Sequence, residues 1–221
     1  MDEGLRNQML SYSWWHSIDL GGGLVTPGAK PMQLMREEYE NTFSGIEIAG
    51  RSLLDIGAWN GAFSIEAKRR GARHVTALDR PLYGDMAGVK ASLEFAIKTT
   101  GFEISTCERD IEAPGALQGL GSFDIVLFLG VFYHLVDPIL ALRQIYPIVG
   151  NVLIMETHVE PTTDHRPSMI FYPGSELNND SSNWWGPNIA CVQSLLKTVG
   201  FRRVETIQPT DRNRVVCRAF K

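Results

Sequence analysis

Cysteine is scarce in this chain: three in 221 residues, Cys107, Cys191 and Cys217, odd in number and far apart. That excludes a disulfide framework and predicts reduced, apolar-packed side chains in a reducing compartment. Basic charge is short as well. The 21 Lys and Arg are outnumbered by 25 Asp and Glu, and no basic run exceeds Lys68-Arg69-Arg70. A net charge of −4 gives no general pull toward a phosphate backbone, so tRNA or any other nucleic acid is disfavoured as partner. No apolar run approaches the roughly 20 residues of a membrane span. The opening Met1-Asp2-Glu3-Gly4 is acidic and lacks an apolar signal core. The expectation is a cytoplasmic protein without a membrane partner.

What is present is one large core's worth of apolar residues, 44% of the chain, arranged as alternating strands and helices. The pattern predicts strand 51–56, helix 61–70, strand 73–79, helix 85–98 and strands 102–107 and 123–129. Helix 138–146 and strand 149–156 follow. Asp137 can cap the 138 helix, and Pro138 suits its first position. Such alternation argues a doubly wound α/β fold with a mostly parallel sheet. The ending is different. A helix near 188–199 leads into strands 201–208 and 213–220, joined only by Pro209-Thr210-Asp211-Arg212. So short a turn makes them an antiparallel hairpin. Residues 1–50 read as an N-terminal cap with a helix from Met32 to Phe43, on a main domain covering 51–221. The segment 157–187, rich in Pro, Asn, Ser, Trp and Tyr, has no sustained period and reads as a lid.

The first strand breaks into Asp55-Ile56-Gly57-Ala58-Trp59-Asn60-Gly61 and a helix follows from Ala62. Glycines at a strand-to-helix turn let a ligand lie close to the backbone. Two nucleotide ligands compete for it. A dinucleotide fold wants Gly-x-Gly-x-x-Gly, which Gly57 and Gly61 do not supply, while Asp79 at the end of the second strand suits a ribose in either case. The terminal hairpin is the usual ending of S-adenosylmethionine (SAM) methyltransferases.

Taken together, Asp55-x-Gly57-x-x-Asn60-Gly61, Ala77-Leu78-Asp79 and the run Phe123 to Leu135, with its Gly130-Val131-Phe132-Tyr133-His134, resemble class I SAM methyltransferases. More narrowly, Trp15-His16-Ser17-Ile18-Asp19-Leu20, Thr26-Pro27-Gly28 and Arg214-Val215-Val216 resemble the group containing the tRNA wobble-uridine carboxymethyltransferase. The resemblance covers about residues 12–220 and implies a seven-stranded Rossmann-like sheet. It implies that Asp55, Gly57, Asn60 and Gly61 hold the methionine end of SAM and that Asp79 holds the ribose. Asp110 would meet the adenine amine, Ile111 the ring, and Leu129 and Gly130 the methionine. Tyr133 and Arg214 occupy positions of two ligands for the extra carboxylate of carboxylated SAM. The third, a lysine, has no counterpart near Trp14-Trp15-His16, which favours ordinary SAM. Trp59 stands where the broad family has a glycine.

Transfer of methyl to a hydroxyl needs a base. His158, just past the fifth strand, leads; His134 and His16 are the other candidates. Glu156, His158 and Asp164 could hold Mg²⁺, though acids solvated in a loop explain them better, and no metal is expected from them. Trp14, Trp15, Tyr172, Trp184 and Trp185 lie outside the alternating core, among Asn178, Asn179, Asn183 and Asn188. With Glu156, such rings suit a small polar acceptor with a CH face and hydroxyl edges, and a saccharide is the first expectation. The alternatives are tRNA wobble-uridine modification and a SAM-binding protein without turnover.

Overall fold

A computed structural model describes residues 3–80, 87–163 and 165–221. The chain divides into two compact units, Met1–Glu108 and Arg109–Lys221.

In the first unit, α1 (Glu3–Leu10) and α2 (Met32–Phe43) precede β1 (Ser52–Ile56), α3 (Ala62–Arg69), β2 (His74–Asp79), α4 (Ala87–Thr100) and β3 (Ser105–Glu108). Its strands run parallel in the order β3-β2-β1. Leu53, Leu54, Ile56, Val75 and Leu78 are buried, and α3 packs on β1 and β2. The segment before β1 is tied to this body. Trp14 packs edge-on to Phe95, Tyr39 packs edge-on to Phe63, and the Trp15 N–H donates to Asn60 Oδ1 at 3.1 Å. Met35, Tyr39 and Phe43 fill the buried face of α2 at the spacing that the predicted helix required. The predicted opening of α4 at residue 85 lies outside the described residues.

The second unit runs β4 (Phe123–Leu129), a 3₁₀ turn Phe132–His134, α5 (Pro138–Ile148), β5 (Val149–His158), β6 (Met169–Phe171), β7 (Trp185–Pro187), α6 (Ile189–Val199), β8 (Arg203–Ile207) and β9 (Arg214–Phe220). Its four long strands lie in the order β4-β5-β9-β8, with β4 parallel to β5 and β9 antiparallel to both neighbours. The main sheet thus has seven strands and the Rossmann-like arrangement, with the terminal hairpin as predicted. β4 and β9 are buried along nearly their whole length, as interior strands covered on both faces must be. Asp137 caps α5 by accepting from Leu140 N at 2.9 Å, with Pro138 at the first helical position. Asn188 caps α6 by accepting from Cys191 N at 2.8 Å.

The stretch read as an unstructured lid holds more order than expected. β6 and β7 form a two-stranded antiparallel sheet in which Ile170 pairs with Gly186 and Phe171 with Trp185. Three-residue strands carry no readable period, and their partners are 16 residues apart in sequence at the Ile170–Gly186 pair. All three cysteines are free, Cys191 and Cys217 buried and Cys107 half-buried.

Candidate active site

In the first unit the turn after β1 is built on left-handed backbone: Gly57 at φ 79°, Trp59 at 49° and Gly61 at 82°. Four of its N–H groups are already used. Gly57 and Ala58 donate to Leu78 O at 2.8 and 3.1 Å, Gly61 donates to Ala58 O at 2.8 Å, and Trp59 donates to Asp79 Oδ2 at 2.8 Å. The acceptors beside the turn, its carbonyl oxygens and the Asp79 carboxylate, suit donor groups of a ligand.

Asp79 is the strongest of those acceptors. Trp59 N–H holds one oxygen and Arg80 N–H the other, each at 2.8 Å, so the carboxylate is fixed while each oxygen keeps a further lone pair. Burial raises its pKa against the pull of those two amides. Asp55 does a different job. It is buried behind the turn and accepts from both the N–H and the hydroxyl of Ser64, the latter at 2.7 Å, so it anchors the first turn of α3. Burial pushes its carboxyl up to about 6.

In the second unit the chemistry gathers where β4, β5 and β9 end. Gly130 N–H donates to Glu156 O at 3.0 Å, next to the 3₁₀ turn that carries Tyr133. Glu156 and His158 alternate on β5 and share a face, and Arg214 on β9 is paired opposite His158. Arg214 forks onto Glu156, with Nη2 to Oε2 at 2.7 Å and Nε to Oε1 closing the pair. It also reaches Tyr133 Oη at 3.4 Å. Burial works against the guanidinium's charge, but Glu156 overcomes this and the Arg214 pKa is raised.

His158 is only 5% exposed, and its Nε2 lies 2.7 Å from Glu160 Oε1. The same Glu160 oxygen accepts from Tyr172 Oη. Burial pushes the Glu160 pKa up, and the hydrogen bonds from Tyr172 and His158 bring it below its ordinary value.

Residues 32–202 match the methyltransferase-domain family. The chain belongs to that family. Among curated proteins it is 29% identical to the tRNA U34 carboxymethyltransferase of Dichelobacter nodosus over 161 residues, 72% of this chain and 48% of that protein. It is 25% identical to the Pseudomonas aeruginosa protein of the same name over 167 residues, 74% and 49% of the two chains. The chain spans about half the length of the curated relatives it matches. Among solved structures, the N-terminal domain of EvdMO1, with S-adenosylhomocysteine (SAH) and D-fucose, aligns at TM-score 0.68 and 19% identity, covering 100% of this chain and 96% of that one. The magnesium protoporphyrin IX methyltransferase of Synechocystis PCC 6803 with bound SAH aligns at 0.62 and 15%, covering 86% and 82%. At those identities the likeness is one of fold. This is a class I methyltransferase with SAM as its cofactor.

Several residues of the methyltransferase do other work than the sequence suggested. Trp14 is buried at 7% exposure, donates through Nε1 to Met9 O at 2.8 Å and belongs to the core, so it does not wall a substrate; Trp15 beside it is 52% exposed. Asn60 is fully buried, and its amide bonds Trp15 N, Ser13 O and Ser92 Oγ, so it fastens residues 13–15 to the turn. His16 is held down at about 3 by burial and the nearby Lys30. That makes it a weaker base than an ordinary imidazole. His134 lies against the Tyr133 ring with Nδ1 3.1 Å from Ser182 O, and it helps seat the lid segment. Trp185 does the same by donating from Nε1 to Leu135 O at 3.0 Å, whereas Trp184 stacks on the half-exposed Phe171 at 6.0 Å. Asn183 and Asn188 are buried and bonded within the fold, leaving Asn178 and Asn179 as the exposed amides.

Asp110 is exposed in a turn where Oδ1 accepts from Glu112 N at 3.0 Å. Ile111 is buried, and Leu129 closes β4 half-buried. Glu156 is engaged by Arg214 and His158 by Glu160, Asp164 lies outside the described residues, and no group of three or more His, Cys, Asp or Glu suited to a metal occurs among the described ones. The sequence reading passed over Glu160, the carboxylate that meets both His158 and Tyr172. Its place two residues after His158, at the end of a strand, was the available signal.

Proposed function

We propose that this methyltransferase transfers the methyl group of SAM to a hydroxyl of a polar small molecule, with His158 as the base and a saccharide as the acceptor class. The observation that carries the reading is the buried His158 on its carboxylate partner at the end of β5, beside the closed Glu156–Arg214 pair. SAM supplies an electrophilic methyl on a sulfonium. The hydroxyl oxygen bonds to that carbon, the carbon–sulfur electrons stay on sulfur, and the hydroxyl proton passes to His158 Nδ1. Asp79 orients the ribose hydroxyls, and the turn carbonyls take the donor groups of the methionine end. The saccharide reading is supported by Phe171, 50% exposed and stacked on Trp184, which offers an apolar ring face, and by the exposed amides of Asn178 and Asn179 on the same segment. A protein of the same fold has been crystallised with SAH and D-fucose.

Carboxymethyl transfer to a tRNA wobble uridine is the second reading, favoured by the curated relatives and by the Tyr133–Arg214 contact of 3.4 Å. Against it, Glu156 already matches the Arg214 charge, and an added carboxylate there would meet a like charge.

Methyl-labelled SAM offered with monosaccharides, oligosaccharides, small polar metabolites and tRNA tests the two. We expect label in a saccharide hydroxyl. His158→Ala should lose on the order of 10²-fold or more in turnover with SAH affinity retained by calorimetry. Modification of tRNA alone, or carboxylated SAM in the purified protein, would replace the first reading with the second.

A further inference from the structure

The pair that supports His158 is itself built by the lid strands. Glu160 N–H donates to Pro187 O at 2.9 Å on β7, and Tyr172 N–H donates to Trp184 O at 2.9 Å, so the β6–β7 ladder brings the Tyr172 hydroxyl onto Glu160. Gly186 makes room for this. A Cβ there would stand 2.8 Å from Glu160 Cγ and 2.9 Å from Tyr172 Oη, closer than those side chains could stay. His158 and Tyr172 thus converge on one carboxylate oxygen, with the clearance at Gly186 beside them.

We infer that Glu160 is a positioning residue for His158: held by Tyr172 across the clearance at Gly186, it fixes the imidazole as the Nε2–H tautomer and leaves Nδ1 free to accept the proton of the substrate hydroxyl. The carboxylate touches neither substrate nor cofactor and acts through the ring. It orients the neutral imidazole before the reaction and faces the positive charge that forms when Nδ1 is protonated. Tyr172 keeps Glu160 in place and ionised, so the base is complete only when β6 and β7 are paired. The lid's contribution is then to the rate of proton removal as well as to acceptor binding.

The inference rests on the reading of His158 as base, and the test separates the two. Long-range ¹H–¹⁵N spectra of the imidazole rings, taken at pH 8 on the cofactor-free protein, report the His158 tautomer without any turnover. The wild type should show hydrogen on Nε2. Glu160→Leu and Gly186→Ala, the second of which removes no polar group, should both give mixed tautomers while SAH binding and melting temperature identify folded protein. With the acceptor found in the panel above, both variants should lose at least tenfold in kcat with KM within about twofold. A wild-type hydrogen on Nδ1, or a tautomer unchanged in both variants, overturns the inference even where His158→Ala abolishes transfer, and the base reading then stands without it. If the tautomer responds but His158→Ala keeps full turnover, the base reading falls and the role of Glu160 falls with it.

Discussion

Arg214 and Glu156 close on each other across β9 and β5 with two parallel bonds, and their side chains are 21% and 18% exposed. A forked guanidinium–carboxylate pair gains geometry as well as charge, but each partner has given up water to make it. Removing one partner leaves the other largely buried and unmatched. Arg214→Met and Glu156→Gln should therefore each destabilise by about 1–3 kcal/mol, below the range for fully buried pairs because both retain some solvent. The double variant should cost less than the sum. Denaturant melts of the four proteins measure the coupling, and strict additivity would show that the pair contributes no interaction of its own.

Asp79 owes its orientation to two backbone donors, so its remaining lone pairs point one way. Asp79→Asn keeps the size but removes the charge and replaces one acceptor with a donor. Hydrogen bonds to charged groups contribute about 1.5–3 kcal/mol, so SAH affinity should fall roughly 10- to 100-fold. Titration calorimetry reads this directly; unchanged affinity would remove Asp79 from the ribose.

How much of this was visible in the sequence varies from residue to residue for physical reasons. β4 was legible because residues 125–129 are an unbroken apolar run, as a buried interior strand calls for. α5 was legible from Asp137-Pro138, and the β8–β9 hairpin from the short turn between them. The β6–β7 pair was not, because its strands are three residues each and their stability comes from distant partners. The cap showed the limit most clearly. Trp14 and Trp15 are the same residue type in adjacent positions, and only packing against Tyr12 and Phe95 decides that the first goes inside. The sequence also pointed to Asp55 and Asn60 as ligand-facing, since a motif gives position in the turn and not the direction in which a side chain points. Glu160 meets Tyr172, the residue after β6, only in the folded chain.

Trp59 is a bulky residue in left-handed backbone, φ 49°, where the wider family has glycine. Such a conformation costs an L-residue about 1–2 kcal/mol, and glycine adopts it freely. Trp59→Ala and Trp59→Gly both lose the half-buried indole. Only the glycine variant is relieved of strain, so it should be the more stable of the two by about 1 kcal/mol, the reverse of the usual alanine–glycine order at an unstrained site. Equal or greater stability for the alanine variant in chemical denaturation would mean that the turn relaxes out of φ > 0.

Asp55 links stability to pH in a direction opposite to that of a salt-bridged carboxylate. Burial raises it from an ordinary 3.8 to about 6 against the hydrogen bonds of Ser64. The folded protein therefore holds this proton more tightly than the unfolded chain does. The stability it contributes is fully present below about pH 4 and is lost as pH rises through about 6. A rise of about two pH units corresponds to about 3 kcal/mol, the most that ionised Asp55 costs the fold at neutral pH. Asp55→Asn never ionises, and its amide oxygen still accepts from Ser64. Measured against wild type, its melting temperature should gain steadily from pH 4 to 7 and then level off. A difference that stays constant across that range would show that Asp55 keeps the same protonation in both states. The group could then be no more than a neutral or fully ionised anchor for α3.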